Sequence, residues 1–164
     1  VMASALSPGA FRLCGAEADG AISWVCPGVY LRDEALPALE QGAREAGRET
    51  PPLIAHAPVS VHDNLAEARD AVRQQFANFP RSPFYVSMFQ QAGFPEAAQG
   101  TWSDAMIDAI ALIGNEAQVA EKLKTLLSYG ATEVLASPAP AGPNPNASWE
   151  RTVRLLGEVA RTVG

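Results

Sequence analysis

The sequence predicts an α/β fold with a parallel sheet, built as a single domain over residues 1–164 from four consecutive β-α units. Two observations support this prediction. Short apolar runs between turn residues alternate along the chain with longer segments whose apolar residues recur at helical spacing. The sequence also lacks the turn signal that joins two strands into a β-hairpin. This alternation favours parallel strands that are joined by right-handed crossover helices.

The first unit is contained in residues 1–25. Residues 1–5 predict a strand, residues 7–9 (Ser-Pro-Gly) a loop, and the apolar residues that follow a helix that ends before Asp19-Gly20. Residues 21–25 form a short apolar run between turn residues, which is typical of a buried parallel strand. Because a strand begins at the first residue, with neither an initiator Met nor a signal peptide ahead of it, the sequence predicts that the chain begins in the middle of a fold.

The second helix and the third unit come next. Apolar residues at helical spacing predict a helix over residues 31–46. A third strand is predicted over residues 53–61, where weak alternation indicates that both faces are covered. Asn64 and Glu67 have the spacing of a capping box, which predicts a helix from Leu65.

Residues 78–112 depart from this alternation and predict a helical insertion. A Pro-rich corner at Pro80 and Pro83 precedes an aromatic cluster, and a further helical stretch is expected around residues 106–112. The aromatic cluster comprises Phe79, Phe84, Tyr85 and Phe89. These rings could cover a ligand pocket, although a hydrophobic contact between helices is the simpler interpretation.

The fourth unit follows a helix that Asn115 caps and Gly130 closes. A strand is predicted over residues 133–136, and the Pro-, Gly- and Asn-rich residues 137–146 predict a loop. A final amphipathic helix completes the unit. Its predicted apolar face comprises Trp149, Val153, Leu156, Ala160 and Val163.

Composition excludes several classes of function. The net charge is −6, and the 12 basic residues are spread along the chain, so we expect no nucleic-acid partner. No apolar run approaches the ~20 residues that span a bilayer, so we expect no membrane attachment. Cys14 and Cys26 lack the spacing and the His partners of a metal site. They are expected to be buried free thiols in a reducing cytoplasm, and no metal is expected.

The four units fit two architectures, a small doubly wound open sheet or four of the eight units of a TIM-type (β/α)8 barrel. In both, ligands bind beyond the C-terminal ends of the strands. The loop Ser4, Ala5, Leu6, Ser7, Pro8 and Gly9 lies at such an end and opens a helix. Backbone N–H groups and the helix dipole favour a phosphate there. The alternative is an ordinary β-α turn in which Ser7 caps the helix.

Three blocks of the sequence resemble the luciferase-like monooxygenase superfamily, in particular its branch that uses the deazaflavin coenzyme F-420. ASALSPGAFRLCGAEADGAISWV resembles the family's fifth strand, its following loop and helix, and the sixth strand. APVSVHDNLAEARDAVRQQFANFPRSPFYVSMFQQAGF is similar to strand seven, its helix and an aromatic corner. ALIGNEAQVAEKLKTLLSYGATEVLASP is similar to the penultimate helix and the eighth strand. The resemblance therefore selects the barrel and implies strands five to eight, its C-terminal half.

The resemblance implies an oxidoreductase of the monooxygenase kind that acts on a small-molecule substrate with coenzyme F-420, or alternatively FMN. In the family the loop that matches Ser4 to Gly9 holds the cofactor phosphate, and Ser7 stands where Gly is common. This chain would supply that loop and one wall of the cleft. The catalytic residues are expected in the half of the barrel that has no counterpart here. The alternative function is a non-catalytic half-barrel or binding module without independent activity.

Three further side chains are candidates for the site or the core. Trp24 follows the second strand and is a candidate for the substrate cleft, or else a core aromatic. His62 ends the third strand beside Asp63 and is a second cleft candidate, although an exposed loop histidine next to a helix cap is common. His56 lies within an apolar strand and is expected to be a satisfied buried histidine rather than a ligand.

Four strands of a barrel leave two open sheet edges and an uncovered apolar face. We therefore expect the chain to self-associate, with a homodimer in which two halves close on each other as the simplest form.

Overall fold

A parallel five-stranded sheet forms the centre of the computed structural model, which describes the backbone of residues 1–163 and the side chains of residues 1–161. The strands are β1 (Met2–Ala5), β2 (Gly20–Ser23), β3 (Leu53–Val61), β4 (Leu112–Gly114) and β5 (Glu133–Pro138). β1 pairs with β2, and β3 pairs with β2, β4 and β5. Every pair is parallel, as the β-α alternation predicts.

The long strand β3 has different partners at its two ends. Residues 53–55 of β3 pair with β2, whereas residues 59–61 pair with β4. Backbone N–H and C=O groups of a strand alternate between its two edges. Ala21 N–H donates to the Pro52 carbonyl oxygen and His62 N–H donates to that of Gly114. Positions 52 and 62 have the same parity, so β2 and β4 lie along one edge of β3 and β5 lies along the other.

Strand β4 corrects the sequence prediction, which placed Leu112 in a helical stretch. The helix covers only Asp104–Ile110, and Leu112–Gly114 is a buried strand. A run of three apolar residues directly after a helix has no period of its own, so pattern alone could not separate it from that helix. Two other boundaries also differ: β5 continues through Ser137 and Pro138, which were predicted as loop, and β2 ends at Ser23 instead of Val25.

Eight α-helices are present in residues 1–163. They are α1 (Pro8–Glu17), α2 (Gly28–Tyr30), α3 (Leu36–Glu45), α4 (Leu65–Gln75), α5 (Pro83–Gln91), α6 (Asp104–Ile110), α7 (Glu116–Ser128) and α8 (Pro145–Val163). A π-helical turn, Leu31–Ala35, connects α2 to α3, and short 3-10 turns cover Phe79–Arg81 and Pro95–Gln99. None of these helices is long and apolar enough to cross a membrane.

Helices α1 and α3 pack against each other at very short range. A Cβ at Gly15 of α1 would overlap the Leu39 carbonyl oxygen, and a Cβ at Gly42 of α3 would overlap that of Arg12. Glycine at both positions allows the two backbones to touch. The contact also brings Phe11 and Leu39, both fully buried, into the hydrophobic core.

The two faces of the sheet are covered to different extents. Ser4, Ile22, Ile54 and Glu133 are partners in adjacent strands, so they share one face. Met2 and Leu135 belong to the same face and are 47% and 43% exposed. The opposite face, which carries Ala5, Ala55 and Val59, is buried. In a closed barrel the first of these faces would line the interior, and we call it the interior face.

Helix α8 buries a different face from the one that the apolar pattern predicts. Trp149 and Val153 are 48% and 39% exposed, whereas Ser148 and Thr152 are buried. Val163, also predicted on the apolar face, lies outside the described side chains. The cause is β3, which is longer than its partner β5 and leaves Val61 without a strand neighbour on that edge.

The two hydroxyls of α8 satisfy the backbone of Val61. Val61 N–H donates to Thr152 Oγ1 at 2.9 Å, and Ser148 Oγ donates to the Val61 carbonyl oxygen at 3.3 Å. Buried backbone groups require such partners. These hydrogen bonds therefore determine which face of α8 is turned toward β3, and they leave Trp149 and Val153 exposed.

Candidate functional site

The C-terminal ends of the parallel strands lie together at one end of the sheet, which is where ligands bind in open α/β sheets and in barrels. This C-terminal end carries the β1-α1 loop, residues 24–26 after β2, His62 after β3 and the loop after β5. In residues 1–161, whose side chains are described, no cluster of three or more His, Cys, Asp or Glu side chains could hold a metal ion.

Two hydrogen bonds hold the β1-α1 loop. Ser7 is the N-cap of α1, and its Oγ accepts a hydrogen bond from Ala10 N–H at 3.3 Å. Tyr30 Oη donates to the Leu6 carbonyl oxygen at 2.9 Å. The capping role that the sequence offered as an alternative for Ser7 is therefore present.

The same loop is open at the position that an anion would approach. Apart from its chain neighbours and the backbone of its own helix, no heavy atom lies within 4 Å of the place where a Cβ on Gly9 would stand, and the first turn of α1 carries no acidic side chain. The partial positive charge at the N-terminus of this ten-residue helix is therefore not neutralised locally. These features fit a phosphate, whose oxygens would meet free space and the N–H group of Gly9.

A cavity of about 430 Å³ lies beside the loop. One wall consists of Leu6, Ser7, Ala10 and Tyr30, and the other consists of residues 82–85 and of Ser87, Met88 and Gln91 in α5. Phe84 and Tyr85 thus face the cavity. Burial raises the pKa of the Tyr85 hydroxyl, so this group stays protonated at neutral pH.

The other two rings of the predicted aromatic cluster belong to the core. Phe89 is fully buried and makes edge contacts with Phe94 and Trp102, at ring-centre distances of 6.0 and 5.4 Å. Phe79 packs edge-on against Tyr85 at 4.9 Å. The cluster is therefore divided, since Phe84 and Tyr85 line a cavity, whereas Phe79 and Phe89 pack against other aromatic rings.

Trp24 and His56 form a stacked pair on the interior face. Their ring centres are 3.7 Å apart and their planes differ by 14°. Trp24 is only partly buried, whereas His56 is 2% exposed. Burial lowers the pKa of His56 to about 4, so its imidazole is neutral at pH 7.

Both ring nitrogens of His56 have partners, so the expectation of a satisfied buried histidine is confirmed. Val25 N–H donates to Nδ1 at 3.3 Å, and Nε2 lies 2.8 Å from Ser137 Oγ. Val25 has φ = +55°, an uncommon value for a β-branched residue. The sequence did not indicate Ser137 as a partner of His56, because Ser137 lies in a stretch whose Pro and Gly content predicts a loop.

His62 lies far from the Trp24–His56 pair. Its Nε2 is 2.7 Å from Glu67 Oε2, and a Cβ on Gly142 would lie 2.6 Å from its Cε1. It therefore contacts the loop that follows β5. His62 and His56 are six residues apart on an extended chain, which corresponds to roughly 20 Å. The structure does not bring the two predicted cleft residues, Trp24 and His62, together.

The two cysteines are free and buried. Burial raises the pKa of the Cys26 thiol to about 12 and also raises that of Cys14. Both side chains are therefore neutral thiols that pack in the core, as the sequence predicts.

Several solved structures share this fold. The F-420-dependent tetrahydromethanopterin reductase from Methanopyrus kandleri is 24% identical with a TM-score of 0.67, over 96% of this chain and 48% of that one. An F-420-dependent secondary alcohol dehydrogenase, in complex with an F-420-acetone adduct, is 18% identical with a TM-score of 0.74 over the same shares.

The oxygenating constituent of 3,6-diketocamphane monooxygenase from Pseudomonas putida, a type II Baeyer-Villiger enzyme in complex with FMN, is 20% identical. Its TM-score is 0.60, over 95% of this chain and 46% of that one. The chain thus spans about half the length of these structures, which supports the assignment of its sheet as half of a barrel. Residues 1–133 match the family model of the luciferase-like monooxygenases, and the chain belongs to that family.

Proposed function

We propose that this chain provides the phosphate-binding loop and one cleft wall of a flavin- or deazaflavin-dependent oxidoreductase that acts on a small organic substrate. The observation that carries the proposal is the β1-α1 loop. It is open at Gly9, carries no acidic residue in the first helical turn and borders a cavity. When bound, the cofactor supplies the redox chemistry, and the protein supplies position and electrostatics.

Coenzyme F-420 and FMN both carry a phosphate on a ribityl chain, so either one fits the same loop. Gly9 N–H in the first turn of α1 would bind the phosphate, and Ser7 Oγ would donate a further hydrogen bond to it. Tyr30 holds the loop in place through the Leu6 carbonyl oxygen. The two buried, unpaired thiols fit an enzyme that works in the cytoplasm.

Exchange of Gly9 for aspartate tests the loop. The site has room for the side chain, and a carboxylate near the N-terminus stabilises a helix, so the fold should persist. Its negative charge would repel the phosphate. We expect Gly9→Asp to weaken binding of FMN and of F-420 at least about tenfold by calorimetry, because charge-assisted hydrogen bonds contribute roughly 1.5–3 kcal/mol.

Gly9→Asn is the matched control, since it has the same size without the charge. It should bind within about threefold of the unsubstituted chain, since it leaves the charge-assisted contacts in place. Equal loss in both variants would indicate a steric effect. If Gly9→Asp bound both cofactors as tightly as the unsubstituted chain does, the phosphate would not lie at this loop.

We also propose that the chain associates as a homodimer through its open edges. In residues 1–163, β1 and β5 each have a strand on one side only. Exposed apolar side chains accompany both edges. They are Val1, Met2 and Leu13 on the β1 side and Leu135, Trp149 and Val153 on the β5 side. Two copies that face each other would cover both sets.

Light scattering at micromolar concentration tests the association. We expect a mass well above the 17.3 kDa of one chain. Leu13→Asp combined with Trp149→Asp should reduce it to that of a monomer, because burying an unpaired carboxylate at the contact is costly. Leu65→Asp, at a site that is 38% exposed on α4, which packs against β3, β4 and α6, serves as the control and should stay associated. A monomeric unsubstituted chain would overturn the proposal.

A further inference from the structure

The hydrogen bonds around His56 establish that Ser137 Oγ accepts a hydrogen bond from the imidazole. Val25 N–H points at Nδ1, so Nδ1 must present its lone pair. In a neutral imidazole the proton is then on Nε2, which donates to Ser137 Oγ at 2.8 Å. A serine hydroxyl has one proton to donate. Because Ser137 accepts from His56, that proton remains available for another acceptor.

The surroundings of His56 keep Nδ1 as the acceptor from Val25 N–H and Nε2 as the donor to Ser137. A flipped imidazole would set a C–H group against Val25 N–H, and the stacked Trp24 ring restrains the imidazole plane. Protonation of Nδ1 would place two donors against each other. His56 therefore acts as a permanent donor to Ser137, and the serine acts as a donor toward its surroundings.

The hydroxyl of Ser137 lies on the interior face, near the C-terminal end of β5. Ser137 of β5 pairs with Pro58 of β3, and Leu135 pairs with His56. Residues two apart on a strand point to the same face, so all four lie on the interior face. Its side chain is only half-buried. In the described part of the chain the hydrogen bond with His56 is its only one. Its proton is therefore available to a molecule that binds against the interior face.

We propose that Ser137 binds the fused ring of the cofactor by donating a hydrogen bond to a ring carbonyl oxygen, and that His56 is the positioning residue that orients it. The inference rests on the proposed function, because the loop at Ser7 sets where the cofactor begins. β1 and β5 are three strand spacings apart, or roughly 14 Å. A phosphate at one strand and a ring carbonyl at the other match a ribityl chain followed by a fused ring.

Titration with FMN and with F-420, followed by visible absorption, tests this assignment. We expect Ser137→Ala to weaken binding about five- to tenfold, as the loss of one hydrogen bond does. The absorption band of the bound ring should also shift, because the carbonyl loses its donor. Ser137→Thr retains the hydroxyl and should restore both the affinity and the band position.

Two comparisons separate this role from a structural one. Ser128→Ala removes a hydroxyl that donates to the Thr125 carbonyl oxygen on α7, and it should change neither readout. His56→Asn should shift the band in the same direction as Ser137→Ala, since the histidine acts through the serine.

The outcomes distinguish the inference from the proposed function. If the unsubstituted chain bound neither cofactor, the proposed function would fail and the role of Ser137 with it. If it bound a cofactor and Ser137→Ala left affinity and spectrum unchanged, the role of Ser137 would be wrong while the phosphate loop stood.

Discussion

Gly42→Ala is expected to lower the free energy of unfolding by about 3 kcal/mol, the upper part of the range for overpacked sites. The added methyl would overlap the Arg12 carbonyl oxygen, which belongs to the backbone of α1 and cannot rotate away. The two helices must separate, and the core around Phe11 and Leu39 opens with them. Chemical denaturation monitored by circular dichroism measures the effect.

Gly157→Ala in α8 is the control for that substitution. A Cβ at Gly157 would meet only the Arg161 guanidinium, at 3.8 Å, so it would not be crowded. Alanine there should stabilise the helix by up to about 1 kcal/mol. If Gly42→Ala were as stable as the parent chain, the direct backbone contact between α1 and α3 would be wrong.

Acidification from pH 7 to pH 4 is expected to remove about 3 kcal/mol of stability through His56 alone, since one pKa unit corresponds to about 1.4 kcal/mol. Burial lowers the pKa of this histidine from 6.5 to about 4 in the folded chain. Between these values the unfolded state binds the proton and the folded state does not. The contribution of His56 to the free energy of unfolding is therefore fully present above about pH 6.5 and is lost as the pH falls toward 4.

Nuclear magnetic resonance gives the direct readout, because the chain has only two histidines. We expect one imidazole to stay neutral, with its proton on Nε2, down to about pH 5. Asp63 and Glu116 also have pKa values lowered by Arg151, so acid unfolding alone would combine several groups. Comparing the parent chain with His56→Asn isolates the histidine. A folded-state titration of the His56 imidazole near pH 6.5 would contradict its burial and its hydrogen bonds.

The sequence predicts the sheet well where the chain is regular. The β-α alternation identifies β1, β2, β3 and β5, because turn residues separate each of these short apolar runs from the helix that follows. β4 is missed, since its three residues follow α6 directly and are held by β3 rather than by their own pattern. The partners of a strand depend on contacts distant in sequence, which periodicity does not record.

The face of α8 shows the same limit more clearly. Trp149 and Val153 have the spacing of an apolar stripe, yet they are exposed, because the free backbone of Val61 selects the hydroxyls of Ser148 and Thr152. Local pattern describes which residues could be buried. It does not show the backbone N–H and C=O groups of a distant strand that lack a strand partner.

The candidate site was predictable in part. The β1-α1 loop follows from a strand, a turn and a helix in sequence, and its link to phosphate follows from the resemblance to the family. Ser137 could not be found, because its role depends on His56, which is 81 residues away in the chain. The sequence indicates His62 only through its place at a strand end, because its contacts with Glu67 and with Gly142 depend on the tertiary fold.

Calorimetric titration of the chain with FMN and with riboflavin tests the central claim most directly, since riboflavin has the same ring and ribityl chain without the phosphate. If the β1-α1 loop holds the phosphate, FMN will bind at least about tenfold more tightly than riboflavin. Equal affinity for the two, or binding of riboflavin alone, would contradict the claim.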